Sequence, residues 1–152
     1  MAIAALRDQL VTTSTALDNS EIKIPLQVLG NQFVAEADVG GSRPLRLLLD
    51  TGASSTVINN QTAEFLLADI PQFFSFSGST TRINTANGVA QSRIFRLERL
   101  RIQPLSMTNM RILDAPMGSG DYFDGLLGMD FLGQYTFKID RKNALLIIEG
   151  SP

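Results

Sequence analysis

The chain has 152 residues, 44% hydrophobic and 18% charged, which suits one compact domain with its own core. Thirteen Lys and Arg oppose fifteen Asp and Glu, and the net charge of −2 gives no bulk electrostatic reason to expect nucleic acid or an anionic membrane as partner. Because Cys and His are absent, the chain cannot supply a Cys or His nucleophile, a Ser-His-Asp triad, a Cys/His zinc site or a disulfide, so catalysis would need carboxylates, hydroxyls or Lys; we expect no metal and no cofactor.

The first twenty residues lack a clear structural pattern. A short apolar start is followed by a Thr- and Ser-rich stretch, with neither sustained alternation nor a long helical stripe. We predict an N-terminal arm or processing segment over residues 1–20, with a pairing strand or a short helix as alternatives, and a domain over residues 21–152. No apolar run approaches the roughly 18 residues of a membrane-spanning helix, which predicts a soluble protein or an excised soluble domain of a membrane-anchored one.

Strand patterns begin at residue 21. Alternating apolar residues at 22–28 and 33–39, separated by a turn at Gly30-Asn31, predict a hairpin. The next apolar run, at 47–49, stops at Asp50 and resumes at residues 56–58. Because a fully apolar strand is typical of burial on both faces, Asp50 is predicted to leave the core and enter a tight loop.

The rest of the chain continues the β pattern with little helix. A helix is predicted over 59–68, a loop over 71–79, and a hairpin from 80–83 and 89–95 around the turn signal Ala86-Asn87-Gly88. The remaining predictions are strands at 95–102 and 109–115, a loop at 118–121, a short buried strand at 125–128, a helical turn at 129–134 and a closing hairpin from 136–140 and 143–149. About nine strands indicate an all-β domain of barrel or folded-sheet type.

Four arginines at positions 93, 96, 99 and 101 form the densest cluster of positive charge. They alternate with Leu and Ile in a predicted strand, which is typical of a solvated strand face. We therefore predict that they do not bind nucleic acid.

Asp50 is the strongest candidate for chemistry. A carboxylate between an apolar strand and a turn is costly to desolvate unless it is hydrogen-bonded or shares a proton. An isolated Asp-x-Gly usually only caps a turn, but this one has a partner: Leu48-Leu49-Asp50-Thr51-Gly52 has a counterpart in Leu-Leu-Gly-Met-Asp at 126–130. The sequence thus indicates a weak internal duplication.

Three motifs stand in order along the chain: residues 47–58 around Asp50-Thr51-Gly52-Ala53-Ser54, residues 85–88, and Gly-Leu-Leu-Gly-Met-Asp-Phe-Leu at 125–132. Together they resemble the active-site loop, the flap hairpin and the second loop of retropepsin-like aspartic proteases, especially the bacterial single-domain members. The resemblance covers residues 22–149 and implies an all-β, retropepsin-like acid protease fold with a flap hairpin, assembled as a homodimer.

The resemblance implies that peptide bonds are hydrolysed by a water held between two aspartates, one a general base and the other a protonated donor. Asp50 would be the catalytic residue, supplied once by each of two copies, with Thr51, Gly52, Ala53 and Ser54 supporting its loop. Gly128 and Asp130 would form the second loop, the Asp130 carboxylate binding backbone amides or a facing Arg. The active-site loops and the terminal strands would form the dimer interface, since the apolar run at 145–148 needs cover in the partner or in its own core.

The hairpin would act as the flap that closes over a peptide or protein substrate. The resemblance assigns flap and substrate contacts to Ile83, Thr85, Ala86, Asn87, Gly88 and Val89; an ordinary surface hairpin is the alternative. Position 53 is Ala where pepsin-like relatives carry Ser or Thr, which predicts a less acidic pH optimum than pepsin's.

Two functions remain open from the sequence. The first is a homodimeric aspartic endopeptidase. The second is a catalytically silent retropepsin-like domain used for dimerisation or peptide binding. The intact Asp50-Thr51-Gly52 favours the enzyme, because a binding module has no need of a costly carboxylate pair.

Overall fold

A computed structural model describes residues 21–85, 87–117 and 122–150. The predicted arm at residues 1–20, the predicted loop at 118–121 and Ala86 lie outside this range. In chain order the elements are β1 (Ile22–Pro25), β2 (Gln27–Leu29), β3 (Gln32–Ala37), β4 (Leu45–Leu49), β5 (Val57–Asn59), α1 (Asn60–Asp69), β6 (Phe74–Thr85), β7 (Gly88–Ile102), β8 (Leu105–Ala115), β9 (Gly125–Leu127), α2 (Met129–Leu132), β10 (Thr136–Asp140) and β11 (Leu145–Glu149).

The chain divides into two compact units, and the described residues of the smaller unit are 21–25 and 135–150. Its described part is a three-stranded antiparallel sheet in the order β1-β11-β10. The predicted closing hairpin is present, but β11 begins two residues later than expected because Asp140 accepts hydrogen bonds from the amide and side chain of Asn143, and Ala144 has a φ of 52°. Leu146, Ile147 and Ile148 of the central strand are buried in the single chain.

The larger unit, Leu26–Gln134, contains an eight-stranded sheet in the order β2-β3-β4-β9-β5-β8-β7-β6. A bridge between Asp38 and Arg101 joins the end of β3 to β7, so the sheet folds back on itself while β2 and β6 remain its edges. The all-β prediction is confirmed, in its folded-sheet form rather than as a closed barrel. The apolar run at 47–49 lies in β4, where Leu47 and Leu48 are buried as predicted.

The predicted helix over 59–68 is confirmed as α1. Asn59 is its N-cap, and its side chain accepts a hydrogen bond from the Gln61 amide. Ala63 and Leu66 are the buried apolar residues of the helix. At ten residues α1 is the longest helix of the described chain, and none there is long and apolar enough to cross a membrane.

The predicted loop over 71–79 is wrong, because β6 already begins at Phe74. Phe and Ser alternate here, and Phe74 is buried and stacks on Phe95 of β7, with ring centroids 4.6 Å apart, whereas Phe76 is 47% exposed. Strand pairing overrides the turn propensity of Ser and Gly, and the irregularity shrinks to a bulge between Phe76 and Ser79. The predicted strand boundary at residue 95 is also absent, since β7 continues unbroken from Gly88 to Ile102.

Candidate active site

Two adjacent parallel strands carry the repeated Leu-Leu motif. β4 pairs with β9 so that Leu48 lies opposite Leu126 and Leu49 opposite Leu127, which is the register of the sequence repeat. The amide of Asp50 then donates to the carbonyl of Leu127 at 3.0 Å. The pairing therefore places the Asp50 loop directly beside the loop that begins at Gly128.

Asp50 is half-buried at the end of β4. Its Oδ1 accepts a hydrogen bond from the Gly52 amide at 3.0 Å, and its carbonyl accepts one from the Ala53 amide at 3.2 Å. Within the described part of the chain, no donor reaches its Oδ2. Thr51, Gly52 and Ser54 are exposed in the single chain, so this loop carries two hydroxyl-bearing residues at its surface beside the half-buried Asp50.

Asp130 supports the Asp50 loop by binding Thr56, which follows that loop in the chain. Its Oδ2 accepts from the Thr56 amide at 2.9 Å, and its Oδ1 accepts from the Thr56 hydroxyl at 2.8 Å and from the Phe131 amide at 2.9 Å. Of the two kinds of partner expected for this carboxylate, backbone amides bind it, and no arginine among the described residues does. Thr56, fully buried, is a structural residue that the sequence analysis missed.

The two loops are also joined through their backbones. The Gly128 amide donates to the Thr56 hydroxyl at 3.1 Å, and the Met129 amide donates to the Ala53 carbonyl at 2.8 Å. A Cβ at Gly128 would lie 2.6 Å from the carbonyl carbon and oxygen of Ser55. Glycine at 128 is therefore required by the close approach of the loops.

A cavity of about 510 Å³ brings Asp50 together with the tip of the β6–β7 hairpin. Asp50 is the one ionisable side chain among its described lining residues, and most of the others are apolar. The lining consists of Asp50, Val57, Ile83, Asn84, Thr85, Asn87, Ala115, Pro116, Met117, Phe123 and Leu126. A mostly apolar pocket with a few polar groups, one of them ionisable, is the usual form of a ligand site.

The predicted hairpin residues do not all reach this cavity. Ile83, Thr85 and Asn87 line it, whereas Gly88 and Val89 do not, and Val89 is 59% exposed. The Thr85 hydroxyl donates to the Gly88 carbonyl at 2.7 Å and accepts from the Asn87 amide at 3.2 Å, which fixes the end of the hairpin.

The apolar lining residues that the sequence analysis missed include Ala115 at the end of β8, Phe123 just before β9 and Leu126 within β9. Their apolar character carried no signal of its own, because it is equally typical of core positions.

Asp124, just before β9, ties three elements together. Its carboxylate accepts a bidentate pair of hydrogen bonds from Arg43 at 3.0 Å, one from the Arg46 amide at 2.8 Å and one from the Thr62 hydroxyl at 3.1 Å. Burial acts to raise the pKa of Asp124, but the Arg43 hydrogen bonds and charge, with the Arg46 and Thr62 bonds, hold that pKa below its usual range. The carboxylate is thus an ionised cross-link close to the cavity wall.

We expect Asp124→Asn to destabilise the fold by about 1–3 kcal/mol near neutral pH, since the variant loses hydrogen bonds to a charged group. A carboxylate whose pKa is lower in the folded than in the unfolded state stabilises above its unfolded pKa, and this stabilisation is lost as the pH falls through the folded pKa. Urea unfolding of both proteins should therefore show a gap in free energy that shrinks below about pH 4. Glu36→Gln, at an exposed position on β3, is the control, and a gap independent of pH would contradict the prediction.

Comparison with known proteins agrees with this geometry. A family model described as "Aspartyl protease" matches residues 35–131. An uncharacterized protein in the cobV 5′ region of Sinorhizobium sp is 30% identical over 130 residues, covering 86% of this chain and 53% of the relative, so the chain spans about half the length of the curated relative it matches.

Two solved structures are similar in fold. The crystal structure of a retropepsin-like aspartic protease from Rickettsia conorii has a TM-score of 0.60 at 28% identity, covering 84% of this chain and 89% of that one. EIAV protease in complex with the inhibitor HBY-793 has a TM-score of 0.52 at 19% identity, covering 70% and 89% of the two chains, and this match concerns the fold alone.

Proposed function

Because this chain belongs to the aspartyl protease family and has a retropepsin-like fold, we propose that it is a homodimeric aspartic endopeptidase. The observation that carries the proposal is the position of Asp50, at the edge of an apolar cavity that the β6–β7 hairpin helps to line. In this proposal Asp50 is the catalytic residue and the hairpin is the flap.

Among the described residues of one chain, Asp50 brings the one carboxylate that lines the cavity, whereas activation of water between two aspartates needs two. Asp130 does not supply the second, because both its oxygens are bonded within the second loop and to Thr56. The second carboxylate would be Asp50 of another copy, related by a two-fold axis. The exposed Thr51 and Gly52 support this arrangement, since they lie where the facing loop would pack.

In the assembled site, the two Asp50 carboxylates would share one proton, because like charges about 3 Å apart do not both ionise. The ionised member takes a proton from the water as the water attacks the peptide carbonyl, while the protonated member donates to the carbonyl oxygen. The apolar lining of the cavity favours apolar side chains next to the cleaved bond.

The hairpin residues assigned to the flap divide into two groups. Ile83, Thr85 and Asn87 would contact the substrate, since they line the cavity, whereas the exposed Gly88 and Val89 would reach it only when the flap closes. Ala86, between them, keeps its assignment by position in the sequence. The dimer would be completed by the terminal strands, where β1 and β10 are the edges of the described three-stranded sheet.

The proposal is tested by incubating the purified protein with a peptide library between about pH 3 and 7, while sedimentation measures its oligomeric state. We expect cleavage beside apolar residues, and a specific activity that falls when dilution separates the dimer. An enzyme that stayed active as a strict monomer would overturn the dimeric mechanism. A dimer that bound peptides and left them intact would favour the silent binding domain instead.

We expect the pH profile of kcat/KM to peak above about pH 3.5, because the Asp50 carboxylate lacks the side-chain donor that Ser or Thr at position 53 would add. Among the described residues, it accepts only from the Gly52 amide. Ala53→Ser supplies such a hydroxyl and should move the acidic limb of the profile to lower pH. A wild-type optimum near that of pepsin, or a profile that Ala53→Ser leaves in place, would contradict this explanation.

A further inference from the structure

The β6–β7 hairpin leaves the sheet at a defined point. β7 pairs with β8 from Ile94, opposite Leu113, whereas closer to the tip its neighbour among the described strands is β6 alone. We call the part beyond this point, residues 80–85 and 87–93, the projecting hairpin. The tip of this hairpin lines the cavity that contains Asp50, and we call that part of the lining, residues 83–85 and 87, the cavity roof. The direction in which the hairpin leaves the sheet therefore sets the position of the roof.

Arg93, at the base of the projecting hairpin, is bonded to β8 through both its main chain and its side chain. Its amide donates to Asp114 Oδ1 at 2.7 Å, and its Nε and Nη2 lie 2.9 and 2.8 Å from Asp114 Oδ2. Its Nη1 lies 2.8 Å from Glu64 Oε2 on α1. Asp114 is 2% exposed, whereas the Glu64 side chain is 63% exposed, so Asp114 is the fixed end of this contact.

Ser92 adds a third link at the same place. Its hydroxyl accepts from the Asp114 amide at 3.0 Å and donates to the Arg93 carbonyl at 3.0 Å, and the residue is fully buried. These side-chain bonds thus replace the β7–β8 backbone ladder just where that ladder ends. The sequence predicts a solvated strand face for Arg93, Arg96, Arg99 and Arg101. Arg96 and Arg99 are exposed, whereas Arg101 is partly buried and Arg93 is partly buried and ion-paired.

The β6 side of the base is built differently. It contains the bulge between Phe76 and Ser79, where Gly78 has a φ of 90° and a Cβ would meet no neighbour within 4 Å. The side-chain hydrogen bond within this bulge is local, from the Ser79 amide to the Ser77 hydroxyl at 3.2 Å. One strand of the hairpin is therefore fixed to the sheet, while the other carries an irregularity that can absorb a change in direction.

From this geometry we propose that Arg93, Asp114 and Ser92 form a clamp that positions the projecting hairpin over Asp50. None of the three lines the cavity, so they are positioning residues and do not touch substrate. The clamp's role in catalysis rests on the proposed function. If the hairpin is already held in place before the substrate binds, less conformational entropy is lost on binding, and this favours a low KM.

The test uses the full chain and the variant Arg93→Gln, with two readouts. Hydrogen exchange followed by mass spectrometry reports on the projecting hairpin whether or not the protein cleaves peptides. We expect amides of residues 80–92 to exchange about tenfold faster in the variant, because the charge-assisted bonds that resist opening are lost, while residues 95–102 keep their rates. For the catalysed reaction we expect KM to rise about tenfold, with kcat changed less than threefold.

Two further variants make the result specific. Arg96→Gln removes an exposed arginine from the same strand and should change neither readout. Arg93→Gln combined with Asp114→Asn removes the charge that the single variant leaves buried, so it tests the clamp even where the single variant folds poorly. The double variant should also speed exchange in the projecting hairpin.

Unchanged exchange at residues 80–92 in a folded Arg93 variant would overturn the clamp, whatever the kinetics. Faster exchange with an unchanged KM would overturn its role in positioning. If the wild-type protein cleaved no peptide, the proposed function would fail separately, and the exchange experiment would still decide whether the clamp holds the hairpin.

Discussion

Asp50→Asn is expected to lower kcat for peptide cleavage by about 10²–10⁴-fold, the usual contribution of acid–base catalysis by a positioned group. Asparagine keeps the shape and can still accept the Gly52 amide hydrogen bond through its side-chain oxygen. It can neither take a proton from water nor share one with a facing carboxylate. The loss is therefore expected in the chemical step, with the fold and the dimer retained.

The measurement is the initial rate on a peptide that the wild-type protein cleaves, with circular dichroism and sedimentation as checks on folding and assembly. Asp38→Asn is the matched control: Asp38 Oδ1 also accepts an amide two residues along, that of Gly40, but Asp38 does not line the cavity. The control should cleave at the wild-type rate. If the Asp50→Asn variant still cleaved the peptide, the assignment as an aspartic protease would be contradicted.

Mixed dimers extend the same prediction to the two-chain site. When equal amounts of wild-type and Asp50→Asn chains are unfolded and refolded together, random pairing leaves about one quarter of the dimers with two Asp50 residues. The mixture should therefore retain about one quarter of the activity of the same total amount of wild-type protein. A value of about one half would mean that each chain works alone.

Asp130→Ala is expected to lower the free energy of unfolding by about 3 kcal/mol. The substitution removes a carboxylate that accepts three hydrogen bonds, and each bond contributes about 1 kcal/mol. The donors are the Thr56 amide, the Thr56 hydroxyl and the Phe131 amide, and Thr56 is fully buried. For a domain of this size, that is a large part of the total stability.

Urea unfolding is the measurement. Asp38→Ala, which removes the acceptor of an exposed amide, should cost less than about 1 kcal/mol and is the control. Activity of Asp130→Ala should also fall, since the bonds that fix Thr56 hold the chain just after the Asp50 loop. If Asp130→Ala were no less stable than Asp38→Ala, Asp130 would not support the loop.

Features that depend on near neighbours in sequence could be predicted well. The helix α1 was predicted because Asn59 caps it and its apolar residues recur at helical spacing. The hairpin around Asn87-Gly88 was predicted because that dipeptide favours a tight turn. Residues 71–79 were misjudged for the converse reason: the local turn propensity of Ser and Gly was outweighed by packing of Phe74 against Phe95, twenty-one residues away.

The sequence by itself determined the chemistry available to this protein. A chain without Cys or His is left with carboxylates, hydroxyls and Lys, and the apolar run that stops at Asp50-Thr51-Gly52 indicated which carboxylate leaves the core. Only the tertiary structure decided which side chains form hydrogen bonds with each other. Thr56 meets Asp130 across 74 residues and Arg93 meets Asp114 across 21, and neither pairing leaves a local signature. A hydrogen bond between distant residues depends on which strands become neighbours in the sheet. The order of the strands is set by how the whole sheet buries its apolar residues, and it cannot be read from any single segment.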